Sequence, residues 1–266
     1  MMKRHWKKIL AGSMLLLALV ACGTETPTPE SVVPLMMEQP TPELQPAAEQ
    51  LEAAAAANDC ANRYLPVVQG ATWNYRLTGI INDTMTRRII NAQPTTFTDQ
   101  DTFGSGIIRN GSWQCAGGNL TALDPASGTS ISISSEGVWV EFRTVSQTGI
   151  TLPAALNPGD NWAQSVTIEG KLAIGAAQYD ARNIINNNCT AVNFESVIVT
   201  AGTFNAFRVD CRTTMDLTVD IPDKPSRNAL TLNVTNWYVE NIGLIKTVTA
   251  GDGLDGTMEL QSYIIP

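Results

Sequence analysis

Met215-Asp216-Leu217-Thr218-Val219-Asp220-Ile221 alternates without a break: every second residue is apolar, and Asp, Thr and Asp stand between. Successive side chains of a strand point to opposite faces, so this pattern sets one face on a core and the other in water. Leu230-Thr231-Leu232-Asn233-Val234-Thr235 repeats it, and Pro222 to Asn228 between the two runs is rich in turn formers. The three pieces together predict a long antiparallel hairpin. Ser130-Ile131-Ser132-Ile133-Ser134 alternates in the same way. Further turn signals at Asn82-Asp83, Asn110-Gly111, Asp124 to Gly128, Ala201-Gly202 and Gly251 to Gly256 cut residues 58–266 into about a dozen strands, with no amphipathic helix among them. The expected fold class is all-β and mainly antiparallel, built as a curved sheet, half-barrel or sandwich.

The chain before this region is of two other kinds. Lys3, Arg4, Lys7 and Lys8 open it, and Ile9 to Ala21 is uncharged and apolar. That is the charged and apolar order of a signal peptide, and it is too short for the roughly 20 residues of a membrane-spanning helix. Leu19-Val20-Ala21-Cys22 resembles the lipobox of bacterial lipoproteins. The resemblance implies cleavage before Cys22 and diacylglycerol on its thiol, which would hold the protein to a membrane of the cell envelope. Durable anchoring follows from several acyl chains, since a single chain holds only marginally. Gly23 to Asn58 is Thr, Pro, Glu, Gln and Ala with six acidic residues and no Lys or Arg. Such a stretch has too little apolar surface to form a core. The expected organisation is a signal peptide over 1–21, a disordered tether over 22–57 and one antiparallel β domain over 58–266.

Cleavage at Cys22 would leave 13 basic against 25 acidic side chains, a net charge of −12. An acidic surface repels phosphate backbones, so nucleic acid is not an expected partner. The chain's one histidine is His5, inside the signal segment. The mature protein would therefore hold no Ser-His or Cys-His nucleophile pair and no His-ligated zinc.

Besides Cys22 there are Cys60, Cys115, Cys189 and Cys211, an even number without a C-x-x-C spacing. In an exported chain this predicts disulfides. With a turn at Ala201-Gly202, facing residues have numbers that sum to about 403, while Cys189 and Cys211 sum to 400. A small bulge closes that gap, which leaves Cys60 to pair with Cys115. Each bridge is expected to contribute about 3 to 4 kcal/mol as scaffolding.

Other candidate sites have structural explanations. Gly251-Asp252-Gly253-Leu254-Asp255-Gly256 offers two carboxylates, but it lacks the ligand spacing of an EF-hand loop and reads as a hairpin turn. Asp216 and Asp220 are four apart on one strand, roughly 13 Å, beyond either two-carboxylate glycosidase spacing. Trp73, Tyr75, Trp113, Trp162, Trp237 and Tyr238 are expected in the core, the commoner use of such side chains, with the lining of a sugar or lipid site as the alternative. Trp139 shares a face with Glu141 and Arg143 in Val138-Trp139-Val140-Glu141-Phe142-Arg143, which points to a second covered surface or a groove. No catalytic residue, metal or cofactor is expected.

Two turns echo each other: Leu65-Pro66 to Gly70-Ala71-Thr72-Trp73, and Asn157-Pro158-Gly159-Asp160-Asn161-Trp162, each with Trp three residues after Gly. With Val199 to Val209 and Trp237-Tyr238 to Gly243-Leu244-Ile245-Lys246, this order of turns resembles a diffuse group of secreted bacterial lipoproteins. That group is similar in shape to the carrier half-barrels typified by LolA and LolB, whose curved sheet encloses an apolar cavity. The resemblance implies an envelope lipoprotein without catalytic residues. The expected role is non-enzymatic binding of a protein or glycan, or a structural role; the alternative is carriage of a lipid or other apolar ligand.

Overall fold

The computed structural model describes residues 58–124 and 138–266, with the side chains of 138–142 outside that description. The expected signal peptide, Cys22, the tether, the Ser130–Ser134 strand and most of the Asp124–Gly128 turn lie outside the described residues. What is described is one antiparallel sheet and no helix. Its strands are β1 (Thr72–Gly79), β2 (Asp83–Ala92), β3 (Thr96–Phe103), β4 (Ile108–Ala116), β5 (Asn119–Ala122) and β6 (Val138–Gly149), then β7 (Asn161–Ile174), β8 (Ala177–Val199), β9 (Gly202–Val219), β10 (Ser226–Val239), β11 (Gly243–Ala250) and β12 (Gly256–Ile264).

The spatial order is β5-β4-β3-β2-β1-β12-β11-β10-β9-β8-β7-β6. Two meanders, β1 to β5 and β6 to β12, therefore meet along the β1–β12 pair, where Leu77 faces Met258. The free ends of the sheet come round to each other. Leu120 of β5 accepts from the amides of Thr151 and Leu152 just past β6, and its own amide donates to Leu152 O at 2.8 Å. The curved sheet foreseen from alternation thus goes past a half-barrel to near closure. Gly149, with φ of 82°, makes the join possible: a Cβ there would stand 2.0 Å from Ala163 O.

The Met215 and Leu230 runs do form the β9–β10 hairpin, with Ser226 facing Val219. Asn110-Gly111 is not a turn. It lies inside β4, where Gly111 faces Asp99 of β3, and the chain reverses instead between Phe103 and Ile108.

The barrel's two ends differ. At the end where the chain enters, the β8–β9 ribbon runs beyond the last β9–β10 pair, Phe207 with Tyr238, and bends at a bulge between Ala191 and Phe194. Its turn reaches β12, with Ala201 N donating to Leu260 O. Val197, Val199 and Phe207 of the ribbon join Trp73, Trp113, Leu152, Leu156 and Leu260 in the main core. Residues 58–65 cross the same end. Asn62 is buried and binds four backbone groups: its amide donates to Gly118 O and Pro153 O, and its carbonyl accepts from the amides of Tyr64 and Leu65. Arg63 O accepts from Asn241 N. One short segment thereby ties both meanders together and seals this end. The opposite end holds the β1–β2, β3–β4 and β11–β12 turns.

Asn62→Ala should reduce stability by about 3 kcal/mol in urea denaturation, because four backbone groups in a dry site lose their partner at once. A loss under about 1 kcal/mol would show that the seal does not depend on this side chain.

Candidate functional site

The inner faces of β2, β3 and β4 carry charge. Strand β3 turns Phe97, Asp99, Asp101 and Phe103 inward, and β2 turns Met85, Arg87 and Ile89 inward. Arg87, Asp101 and Arg109 face one another in turn across β2, β3 and β4. Arg87 forms a two-pronged pair with Asp101, Nε to Oδ1 at 2.8 Å and Nη2 to Oδ2 at 2.7 Å, and Asp99 Oδ2 stands 3.6 Å from Arg87 Nε. All three are buried, with side chains between 3% and 9% exposed. At that burial a lone guanidinium would be prohibitively desolvated, so the fork of two parallel bonds is what lets Arg87 stay inside. Burial pushes the Arg87 pKa down, and the Asp101 carboxylate more than reverses this, leaving it above its ordinary value. Burial pushes Asp99 up to about 6 despite Arg87, with Asp101 and Asp124 adding repulsion.

Opposite this charged wall, β7 to β11 present amides and hydroxyls. Gln164 faces Asn187, which accepts from Thr213 Oγ1 at 2.7 Å; Asn236 accepts from Thr247 Oγ1 at 2.8 Å. Between the walls lies a cavity of about 100 Å³, bordered also by Leu77, Met85, Phe103, Trp162, Tyr238 and Met258. A second cavity of about 90 Å³ adjoins it toward the open end, sharing Leu77, Ile81, Thr247, Thr249 and Met258 and adding Met215, Leu232 and Leu254.

The structure distributes the sequence's candidates as follows. Cys189 and Cys211 face each other and are bonded, and Cys60 is bonded to Cys115 of β4. The turn that sets the first pair is Thr200-Ala201, one residue earlier than expected. Facing numbers therefore sum to 401 near the turn, and the bulge before Phe194 lowers this to 400 at the cysteines. Trp73, Tyr75 and Trp113 are buried, Trp73 Nε1 donating to Ile242 O and Tyr75 Oη to Leu244 O. Trp162 and Tyr238 border the first cavity. Trp237 is partly exposed, with its indole on Glu195 and the Lys246 ammonium 6.0 Å from its ring. Trp139 faces Leu172 in the β6–β7 register, and its side chain lies outside the described residues. In the glycine-rich loop both carboxylates hold backbone, Asp252 on Thr231 N and Asp255 on Gly251 N. Asp216 pairs with Arg227. Among the described residues no three Cys, Asp or Glu side chains gather as a metal site would require.

The two Pro-Gly-Trp turns are alike in detail. Gly70 and Gly159 both have positive φ, and each donates its amide to a neighbouring strand, at Ile89 O and Ala191 O. Each turn delivers its Trp to the inside at the start of β1 or β7.

No family model matches the chain, and no curated protein does. Solved structures do match. One from Bacteroides fragilis, provisionally described as an exported protein with a YmcC-like fold, aligns over all of its own length and 77% of this chain, at 15% identity and TM-score 0.53. One from Parabacteroides distasonis, provisionally described as a lipoprotein, aligns over the same shares at 16% identity and TM-score 0.51. The fold is shared. At such identities the likeness shows shape alone and transfers no residue roles.

Asp99 gives a pH signature to this site. Its folded pKa of about 6 lies above the ordinary 3.8, so the folded state holds this proton more tightly than the unfolded chain does. Its contribution is destabilising above pH 6 and is relieved as pH falls through 6 toward 4. The stability of the natural protein relative to Asp99→Asn should therefore improve by up to about 3 kcal/mol between pH 7.5 and pH 4. Parallel pH profiles for the two proteins would contradict the placement of Asp99 in a dry site.

Proposed function

We propose that this chain is a non-enzymatic binding protein of the cell envelope, held there by lipid on Cys22, with its ligand site at the open end of the barrel. The observation that carries this reading is the size and chemistry of the interior. A carrier of membrane lipid encloses an apolar space of several hundred Å³. Here the two chambers measure about 100 and 90 Å³, and a buried Arg87–Asp101 pair stands in the wall of the larger. Moving an acyl chain past that pair would bury hydrocarbon against charge and disturb the only partner that Arg87 grips with two bonds.

Catalysis finds no support among the described residues. Both oxygens of Asp101 are engaged by Arg87, Asp99 is sealed beside it, and the one histidine of the chain is His5. The names of the Bacteroides fragilis and Parabacteroides distasonis neighbours, one exported and one a lipoprotein, agree with export and anchoring.

Native mass spectrometry of the protein purified from its own host should show no phospholipid adduct in any preparation. A stoichiometric phospholipid would overturn the binding reading in favour of carriage. Cys22→Ala should shift the protein from the membrane fraction to the soluble fraction, and unchanged membrane attachment would overturn the anchor.

A further inference from the structure

We propose that the open end binds a small amphipathic organic anion, with its carboxylate on Arg109 and its short hydrocarbon tail in the chamber bordered by Ile81, Met215, Leu232 and Leu254. This rests on the binding reading above and names the ligand's chemistry.

Arg109 is a cation of the site whose donors are unused among the described residues. It borders the larger chamber, and its guanidinium lies 5.0 Å from the centre of the Phe103 ring, a stacking that fixes its place. Asp101 is its cross-strand neighbour, but both Asp101 oxygens already accept from Arg87. Among the described residues Arg109 forms no hydrogen bond or ion pair. Its half-buried guanidinium is desolvated enough for burial to lower its pKa, while Asp101 pulls the other way. Five planar donors in such a place suit a carboxylate, which accepts two of them side by side.

The adjoining chamber supplies the other half of the ligand. It is mainly apolar, with Thr78, Thr247, Thr249 and Thr257 also in its lining, shares Leu77, Ile81 and Met258 with the first, and includes the exposed Ile80 of the β1–β2 turn. Ile107, more than half exposed, adds apolar surface at the β3–β4 turn two residues before Arg109, whereas Ile108 lies on the outer face of β4. A cavity of about 150 Å³ is known to take a benzene, so two adjoining chambers that share Leu77, Ile81 and Met258 in their walls together fit a ligand of roughly six to ten heavy atoms. A molecule with charge at one end and a few methylenes at the other satisfies both chambers. A sugar would leave the second unfilled, and a simple inorganic anion would use only the first.

The test is calorimetric titration of the full mature chain carrying Cys22→Ala with four probes: hexanoate, hexanol, acetate and hexylamine. Hexanoate should bind at least tenfold more tightly than each of the others. Arg109→Gln should weaken hexanoate at least tenfold and leave hexanol unchanged, Arg109→Lys should retain part of the affinity, and Leu254→Ser should weaken hexanoate and hexanol alike. Thermal unfolding of each variant, matched to the parent, excludes misfolding as the cause. Equal binding of hexanol and hexanoate, or an Arg109→Gln variant with undiminished hexanoate affinity, would overturn the inference. So would the absence of heat with all four probes. A phospholipid adduct in the native mass spectrum would instead strike the binding reading itself, which keeps the two failures apart.

Discussion

A guanidinium inside a barrel has to be paired, and the pairing of Arg87 with Asp101 decides what the rest of this lumen can be. Two short parallel bonds between neighbouring strands satisfy the charge at a place with little exposure to solvent. The remaining positions of the inner face divide accordingly. Large apolar side chains fill the end sealed by Trp73, Trp113 and Phe207, amides and hydroxyls of β7 to β11 face the charged wall, and the space left over is small. Asp99 is drawn into the same dry region without a two-bond partner, and its raised pKa is the consequence.

The pair needs the sheet to curve round and one end to be shut. Near closure comes from the short join between Leu120 and Thr151-Leu152, which a glycine at position 149 permits. Shutting one end takes both the overlong β8–β9 ribbon, bent at its bulge onto β12, and Asn62 in the entering segment. The Cys189–Cys211 bridge lies in this ribbon just below the bend, and Cys60–Cys115 pins the entering segment to β4. Cys60–Cys115 therefore reinforces the sealed end and Cys189–Cys211 the wall between that end and the larger cavity, while the opposite end holds turns, Arg109 and two smaller apolar clusters, one around Leu172 and Leu217 and one around Met215 and Leu232.

Alternation made the strands legible, because a two-residue period is a local property and needs no knowledge of neighbours. The disulfide pairing was legible for the same reason: a hairpin converts sequence numbers into facing positions, and the three-unit gap to the cysteines is made up of two units from a turn one residue earlier and one from the bulge. The charged wall was not read, although its signal is present. In Phe97-Thr98-Asp99-Gln100-Asp101-Thr102-Phe103 the two Phe set the phase, and both Asp fall on their face. Met85-Thr86-Arg87-Arg88-Ile89 does the same for Arg87. Charged residues in phase with apolar ones are the mark of a buried ion pair. Asn110-Gly111 misled because the dipeptide fits a turn by backbone freedom, whereas here Gly111 is an ordinary strand position facing Asp99. Near closure and the sealed end depend on contacts between residues far apart in sequence, which local periodicity does not encode.

If the buried pair organises the lumen, its two members are strongly coupled, and a double-mutant cycle in chemical denaturation measures that directly. Asp101→Leu alone should cost about 3 to 5 kcal/mol by stranding Arg87, while Arg87→Met with Asp101→Leu should recover most of the loss by making that patch apolar throughout. Single and double losses that simply add would contradict the central role given to Arg87 and Asp101.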